Sequence, residues 1–196
     1  MSRPALRVLI PAAGASERLG HPKQLVRFRG KPLLQRAIDA ARTLSPIEVI
    51  VVTGANASAV EDAVRETSVR WIHNPDWAAG MGGSIAKGAT AIHPESRGVM
   101  ILLCDQWRVQ GQDLQALVEA WQSDRQRVVV AESQGHYMPP VIFPSALFPQ
   151  LQALTGQQGA RSLLETRAAL VTPVAMPHAA ADLDSPSHLN ELLKSP

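Results

Sequence analysis

Leu6-Arg7-Val8-Leu9-Ile10-Pro11-Ala12-Ala13-Gly14-Ala15-Ser16-Glu17-Arg18-Leu19-Gly20-His21-Pro22-Lys23 carries an apolar run, then a loop of small residues, then Arg18 and Lys23 at the loop's end. The run Leu6 to Pro11 reads as a strand. In the loop, small side chains let backbone N–H groups approach and cradle phosphates, while Arg18 and Lys23 supply positive charge to them. The spacing excludes the two commoner phosphate loops. A P-loop needs Gly-Lys-Ser/Thr together, and the dinucleotide fingerprint needs a second glycine where Ser16 stands.

Downstream of this stretch, short β-branched runs alternate with amphipathic ones. Residues Ile47 to Thr53, Val69 to His73, Val99 to Cys104 and Val128 to Glu132 read as further strands. Helical spacing of apolar residues marks Pro32 to Leu44, Ser58 to Thr67, Ser84 to Ile92 and Gln112 to Gln122, with Pro32 suited to a first helical position. That order predicts an α/β fold whose right-handed crossovers stack the strands into a largely parallel, doubly wound sheet. After Glu132 the rhythm changes: an apolar run at Val141 to Phe143, helices near Ser145 to Leu154 and Ala160 to Ala168, and a strand near Leu170 to Ala175. This second half is expected to cover an open sheet edge as an extra layer.

With 196 residues, 45% hydrophobic and 18% charged, the chain is ordinary for a globular domain and should bury about 70% of its unfolded surface. A single domain over 1–196 is expected, and any metal is expected to be catalytic rather than structural. With a formal charge of +2 and no basic block, the basic pI alone does not indicate nucleic-acid binding. The single cysteine, Cys104, lies in an apolar run and reads as a buried inert thiol. Met1 to Ala5 lack a signal core, and no apolar stretch reaches the roughly 18 residues of a membrane span. A cytoplasmic protein follows as the expectation.

Ligands of an open parallel sheet collect at the carboxyl ends of its strands. Besides the first loop, three more segments stand out there. Asn74-Pro75-Asp76-Trp77-Ala78-Ala79-Gly80-Met81-Gly82-Gly83-Ser84 brings three glycines to a helix start at Ser84. Ser84 either caps that helix or, with Gly82 and Gly83, offers N–H and hydroxyl donors to a phosphate or ribose. Cys104-Asp105-Gln106-Trp107 puts a carboxylate at the mouth of the most apolar strand. There Asp105 either caps the next helix or holds Mg²⁺ on triphosphate oxygens. Asp182-Leu183-Asp184-Ser185-Pro186 points both carboxylates to one side if extended. Asp184 either caps the last helix or joins Asp105 on the metal; Asp182 is the other choice.

These segments, together with Gly159-Ala160-Arg161-Ser162-Leu163-Leu164, resemble the molybdenum cofactor cytidylyltransferase family, within the wider group that includes the guanylyltransferases. The resemblance covers nearly the whole chain. It implies a Rossmann-like three-layer nucleotidyltransferase fold and transfer of the cytidylyl group of CTP to the phosphate of molybdopterin, with release of pyrophosphate. Mg²⁺, with Mn²⁺ as its substitute, would be held by Asp105 and by Asp182 or Asp184. The implied roles are catalytic for Arg18, Lys23 and Asp105, and nucleotide-binding for Ala12, Ala13, Gly14, Ser16, Arg18, Lys23, Gly82, Gly83 and Ser84. Arg161 and Trp107 would bind the acceptor. Guanylyl-transferring members tend to carry a second glycine where this chain has Ala13, so CTP is favoured over GTP. Pro11, Trp107 and Met138 depart from the family pattern, the last two being bulky residues expected near the pocket.

The chemistry is an in-line displacement at the α-phosphorus by an already ionised phosphate, which needs no general base. Cations, amides and a metal carboxylate are then the parts required, rather than a Ser-His-Asp set. Five of the six histidines, His73, His93, His136, His178 and His188, lack the close paired spacing of a zinc site. Two other readings remain open: transfer to a different phosphorylated acceptor such as a sugar or alcohol phosphate, and a non-catalytic cofactor carrier or chaperone. A nucleoside triphosphate and a molybdopterin-type small molecule are the expected partners, a molybdoenzyme or chaperone is left open, and neither nucleic acid nor membrane is expected.

Overall fold

The computed structural model describes residues 5–64, 68–157, 159–165 and 170–194. Its centre is the strand β1 (Leu6–Pro11), flanked by β4 (Glu48–Thr53) and β6 (Gly98–Ile101), both parallel to it. With β5 (Arg70–His73), β7 (Val128–Ser133), β8 (His136–Pro144) and β9 (Val171–Ala175), these form a seven-stranded sheet of order β5-β4-β1-β6-β8-β7-β9. Every strand runs parallel except β8, which is antiparallel to both its neighbours. From β1 the order grows to one side through β4 and β5, then returns to the other side at β6. The crevice between β1 and β6 is therefore the topological switch point, where a doubly wound sheet binds ligands.

Period-two alternation assigns the two faces. Leu6, Val8 and Ile10 enter one core with Leu34 and Ile38 of α1 (Leu33–Thr43), Val60 of α2 (Ala57–Ala63) and Leu117 and Trp121 of α4 (Gly111–Ser123). Leu9, Ile50 and Val52 face the other core with Ile85 of α3 (Met81–Thr90), Leu151 of α5 (Phe148–Gln152) and Leu164 of α6 (Arg161–Glu165). Helices thus cover both faces in three layers. No helix among the described residues is long and apolar enough to cross a membrane.

A third, smaller cluster joins Leu19, Val26, Phe28, Leu33, Trp107, Leu183 and Leu192. Phe28 lies in a two-strand hairpin of β2 (Arg27–Phe28) and β3 (Lys31–Pro32), and Leu192 in α7 (Pro186–Lys194). The hairpin turns through Arg29 and Gly30 at φ 51° and 80°, the two positive values of a type I′ turn. Three of the cluster's members stand beside site residues in sequence: Leu19 follows Arg18, Leu183 precedes Asp184, and Trp107 comes two after Asp105.

The structure corrects several expectations. The second half does not cover an edge; it extends the same sheet through β8, β7 and β9. The apolar run Val141 to Phe143 lies inside a longer strand, β8, which begins at His136; a register shift between Val130 and Ala131 passes over the prolines, pairing Val130 with Val141 and Ala131 with Met138. A bulge is where a sheet tolerates proline. Strand β6 ends at Ile101, and Leu103 to Asp105 leave the sheet toward the crevice. Helix α3 starts at Met81 rather than Ser84, with Gly80 as its N-cap at φ 124°. The expected helical segments over 65–67 and 166–168 lie outside the described residues.

Candidate active site

A cleft of about 430 Å³ opens at the carboxyl ends of β1 and β6. Its walls come from the first loop (Ala13 to Leu19), from Lys23 and Gln24, from Trp77 to Ser84, from Leu103 to Asp105, and from Leu183 and Asp184.

The first loop leaves β1 with its amide groups available. Ala12 N–H is spent on Val52 O at 2.8 Å, but the N–H groups of Ala13, Gly14, Ala15 and Ser16 have no acceptor among the described residues. Consecutive free amides in a tight loop make an anion-binding concavity. Ser16 adopts φ 59°, and its hydroxyl accepts from Lys23 N–H at 3.1 Å, closing the loop on itself.

Lys23 is the electrostatic centre. Its ammonium is hydrogen-bonded to Asp105 Oδ2 and lies 3.1 Å from Asp184 Oδ1, while Arg18 reaches Asp184 Oδ2 at 3.3 Å. Burial works against the Lys23 charge, yet the Asp105 carboxylate, and Asp184 behind it, outweigh burial and push its pKa further up. Partial burial likewise opposes the Asp184 charge, but Lys23 and then Arg18 overcome this and hold the carboxyl below its usual range. Asp182 goes the other way: partial burial, then Asp184 and Asp105, raise it. Asp105 is buried, and its Oδ1 has no hydrogen-bond partner. An orphaned, buried carboxylate oxygen is costly. A divalent cation satisfies it, so Asp105 with Asp184 fits Mg²⁺. No group of three His, Cys, Asp or Glu side chains among the described residues is placed to hold a metal, so the remaining ligands would be triphosphate oxygens and water.

Neither carboxylate caps a helix. Helix α4 has Gln110 as its N-cap, in a capping box with Asp113, and Ser185 accepts from the first turn of α7 through His188 and Leu189. Of the two C-terminal carboxylates, Asp184 lines the cleft and contacts Lys23, whereas Asp182 is exposed with His188 at 3.8 Å.

The glycine segment behaves differently from its expectation. Ser84 sits in the first turn of α3, not at the cap, and its buried hydroxyl accepts from Asn74 Nδ2 at 3.0 Å. Its proton is thereby left for another acceptor, and Ser84 lines the cleft. Gly82 is not a phosphate donor: its N–H is spent on Gly156 O at 2.9 Å. Gly80 is needed because a Cβ there would stand 2.4 Å from Gly156 O. Ala12, Gly82 and Gly83 support the wall without lining it, while Ala13, Gly14, Ser16, Arg18, Lys23, Ser84 and Asp105 all line it.

Trp107 and Met138 are outside the cleft. Trp107 is buried, edge-on to Phe28 at 5.1 Å between ring centroids, and Met138 packs on the core beneath β1. The bulk of both is absorbed in packing, so Trp107 is not placed as an acceptor-binding residue. Arg161 opens α6 as an exposed residue away from the cleft lining. Cys104 is buried as expected, its thiol pushed up to about 12 by burial.

Two further residues shape the cleft: Gln24, buried in its wall, and Gly54, which follows β4. A Cβ on Gly54 would meet Ala13 O at 2.7 Å and Trp77 Cβ at 2.6 Å. Nothing in the local spacing marks either residue, because their importance arises from chain segments remote in sequence.

The model of the MobA-like NTP transferase domain family matches residues 8–174. Nicotine blue oxidoreductase of Paenarthrobacter nicotinovorans is 30% identical over 178 residues, covering 86% of this chain and 85% of that protein. The crystal structure of Rv0371c from Mycobacterium tuberculosis H37Rv superposes with a TM-score of 0.84 at 26% identity, over 99% of this chain and 100% of that one. Its complex with manganese gives 0.82 at 25% identity, over 97% and 99%. A nucleotidyl transferase from Methanothermobacter thermautotroptrophicus shares the fold, with a TM-score of 0.81 at 19% identity over 96% and 98%.

Proposed function

The chain belongs to the MobA-like NTP transferase domain family, and from that premise we propose that it transfers the cytidylyl group of CTP to the phosphate of molybdopterin, releasing pyrophosphate. What carries the reading is one juxtaposition: free loop amides and the Lys23 ammonium face a buried carboxylate, Asp105, that has an unpartnered oxygen.

In this reading the amides of Ala13 to Ser16 cradle the triphosphate, and Lys23 and Arg18 offset its charge. Asp105 and Asp184 would hold Mg²⁺, which supplies charge neutralisation across the triphosphate oxygens. Lys23, whose charge Asp105 sustains against burial, would supply positive charge to the phosphates as pyrophosphate departs. The acceptor's phosphate attacks in line without a general base, so positioning and charge supply the rate.

CTP is favoured by Ala13. This rests on the resemblance, since guanylyl-transferring relatives tend to have glycine where Ala13 lines the cleft. Molybdopterin as acceptor rests on the family resemblance, and the two bulky departures from the pattern, Trp107 and Met138, leave the cleft unobstructed. The oxidoreductase named in the Paenarthrobacter relative is not carried over: the loop lacks the dinucleotide glycine at Ser16, and its charges suit a metal-bound triphosphate.

The test is pyrophosphate release by the purified protein with Mg²⁺ and CTP, GTP, ATP or UTP, each with and without molybdopterin. Release that needs molybdopterin and prefers CTP is expected. Release with a sugar or alcohol phosphate instead reassigns the acceptor, and nucleotide binding without release under any acceptor makes the protein a carrier.

A further inference from the structure

Gln24 is 2% exposed on the short turn Lys23–Leu25, directly behind the first loop. Its Nε2 donates to Ala12 O at 2.8 Å and to Gly14 O at 3.0 Å. Between them, Ala13 O accepts from Ala55 N–H at 3.0 Å. Three successive carbonyls are thus held by donors from the protein. Each trans peptide points its N–H opposite its carbonyl, so tying the carbonyls back leaves the following amides to the cleft.

We propose that Gln24 is a positioning residue for the triphosphate: its side-chain amide fixes the carbonyls of Ala12 and Gly14 and so aims the loop's N–H groups at phosphate oxygens. This rests on the nucleotide reading of the cleft. The orientation of the amide is forced, since an oxygen facing two carbonyls would be repelled. Packing alone does not account for the residue. Gln24 Oε1 is buried without a partner, a cost that an apolar side chain of the same size would avoid. The fold carries that cost where a double donor organises the loop.

The experiment compares wild type with Gln24→Met, which keeps the length and removes the donor, and Gln24→Glu, which keeps the shape and sets oxygens against both carbonyls. Equilibrium binding of CTP and of inorganic tripolyphosphate, each with Mg²⁺, is measured together with kcat, KM and the thermal midpoint. Gln24→Met should weaken both ligands by about tenfold, the usual worth of an organising hydrogen bond, and raise the KM for CTP in step. Turnover at saturating CTP should fall less than affinity does, and the midpoint should drop only modestly, by the loss of two hydrogen bonds to backbone carbonyls. Gln24→Glu should lose more binding in the same pattern, and it carries the test if Gln24→Met does not fold. Wild-type affinity in a folded variant overturns the proposal. Loss for CTP but not tripolyphosphate overturns it too, because Gln24 would then be reading the nucleoside. A wild-type protein that binds neither ligand overturns the nucleotide reading itself, which separates the two failures.

Discussion

Asp184, near the C-terminus, approaches the Lys23 ammonium at 3.1 Å, and that same ammonium is hydrogen-bonded to Asp105 at the end of the central sheet. One ammonium therefore bridges two carboxylates from distant parts of the chain, with Arg18 as a second cation on Asp184. Replacing it should expose how much of the site's chemistry is charge balance. Lys23→Ala should lower pyrophosphate release by about a hundredfold or more, the usual effect of removing one preorganised charge from a developing transition state. Asp105→Ala should lose more, since in the proposed reading it removes the buried carboxylate that would hold the metal. Near-normal turnover by either variant, purified and folded, would contradict both roles.

The opposite shifts of Asp182 and Asp184 give opposite pH signatures. Asp184 has a depressed pKa, so its stabilisation is present above the ordinary 3.8 and is lost as pH falls through the lower folded value. Asp182 is raised, so its charge destabilises the fold above the raised value and has no effect below 3.8. Urea midpoints should show Asp184→Asn less stable and Asp182→Asn more stable than wild type near neutral pH, both converging on wild type in acid. The same pair should separate in Mn²⁺ binding with CTP present, Asp184→Asn weakening it and Asp182→Asn leaving it near wild type.

Trp107 is buried against Phe28, in a cluster with Leu19 and Leu183. Trp107→Ala should cost about 3 to 5 kcal/mol of stability, as truncation of a buried aromatic does. Because the cluster's members flank Arg18, Asp105 and Asp184, metal and nucleotide affinity should fall as well. A variant that keeps its unfolding midpoint but loses only acceptor affinity would return Trp107 to the acceptor site.

Gly54→Ala tests how the loop after β4 shapes the cleft. The added methyl meets the Ala13 carbonyl at 2.7 Å and Trp77 Cβ at 2.6 Å, neither of which can swing away. The first loop must shift, and overpacking of this kind costs about 1 to 3 kcal/mol. The KM for CTP should rise severalfold, on the order of the loss from misplaced amides. An unchanged KM would mean that the cleft tolerates movement of Ala13.

The sequence by itself determined the alternation of strands and helices, the placement of β1, β4, β5, β7 and β9 to within a residue, and the small-residue loop with Arg18, Lys23 and Asp105. These features are local: period-two runs choose a strand, small residues free a backbone, and a carboxylate at a strand mouth needs a cation. The early end of β6 and the start of α3 escaped, because the close approach of Gly80 to Gly156 and the turn of Leu103 toward the cleft depend on neighbours distant in the chain. For the same reason Gln24 and Gly54 were silent, and Trp107 was misplaced, its apolar ring suiting either a pocket or a core. Only the tertiary structure chose Asp184 over Asp182, since alternation puts both carboxylates on one side and the choice lies with where Lys23 reaches.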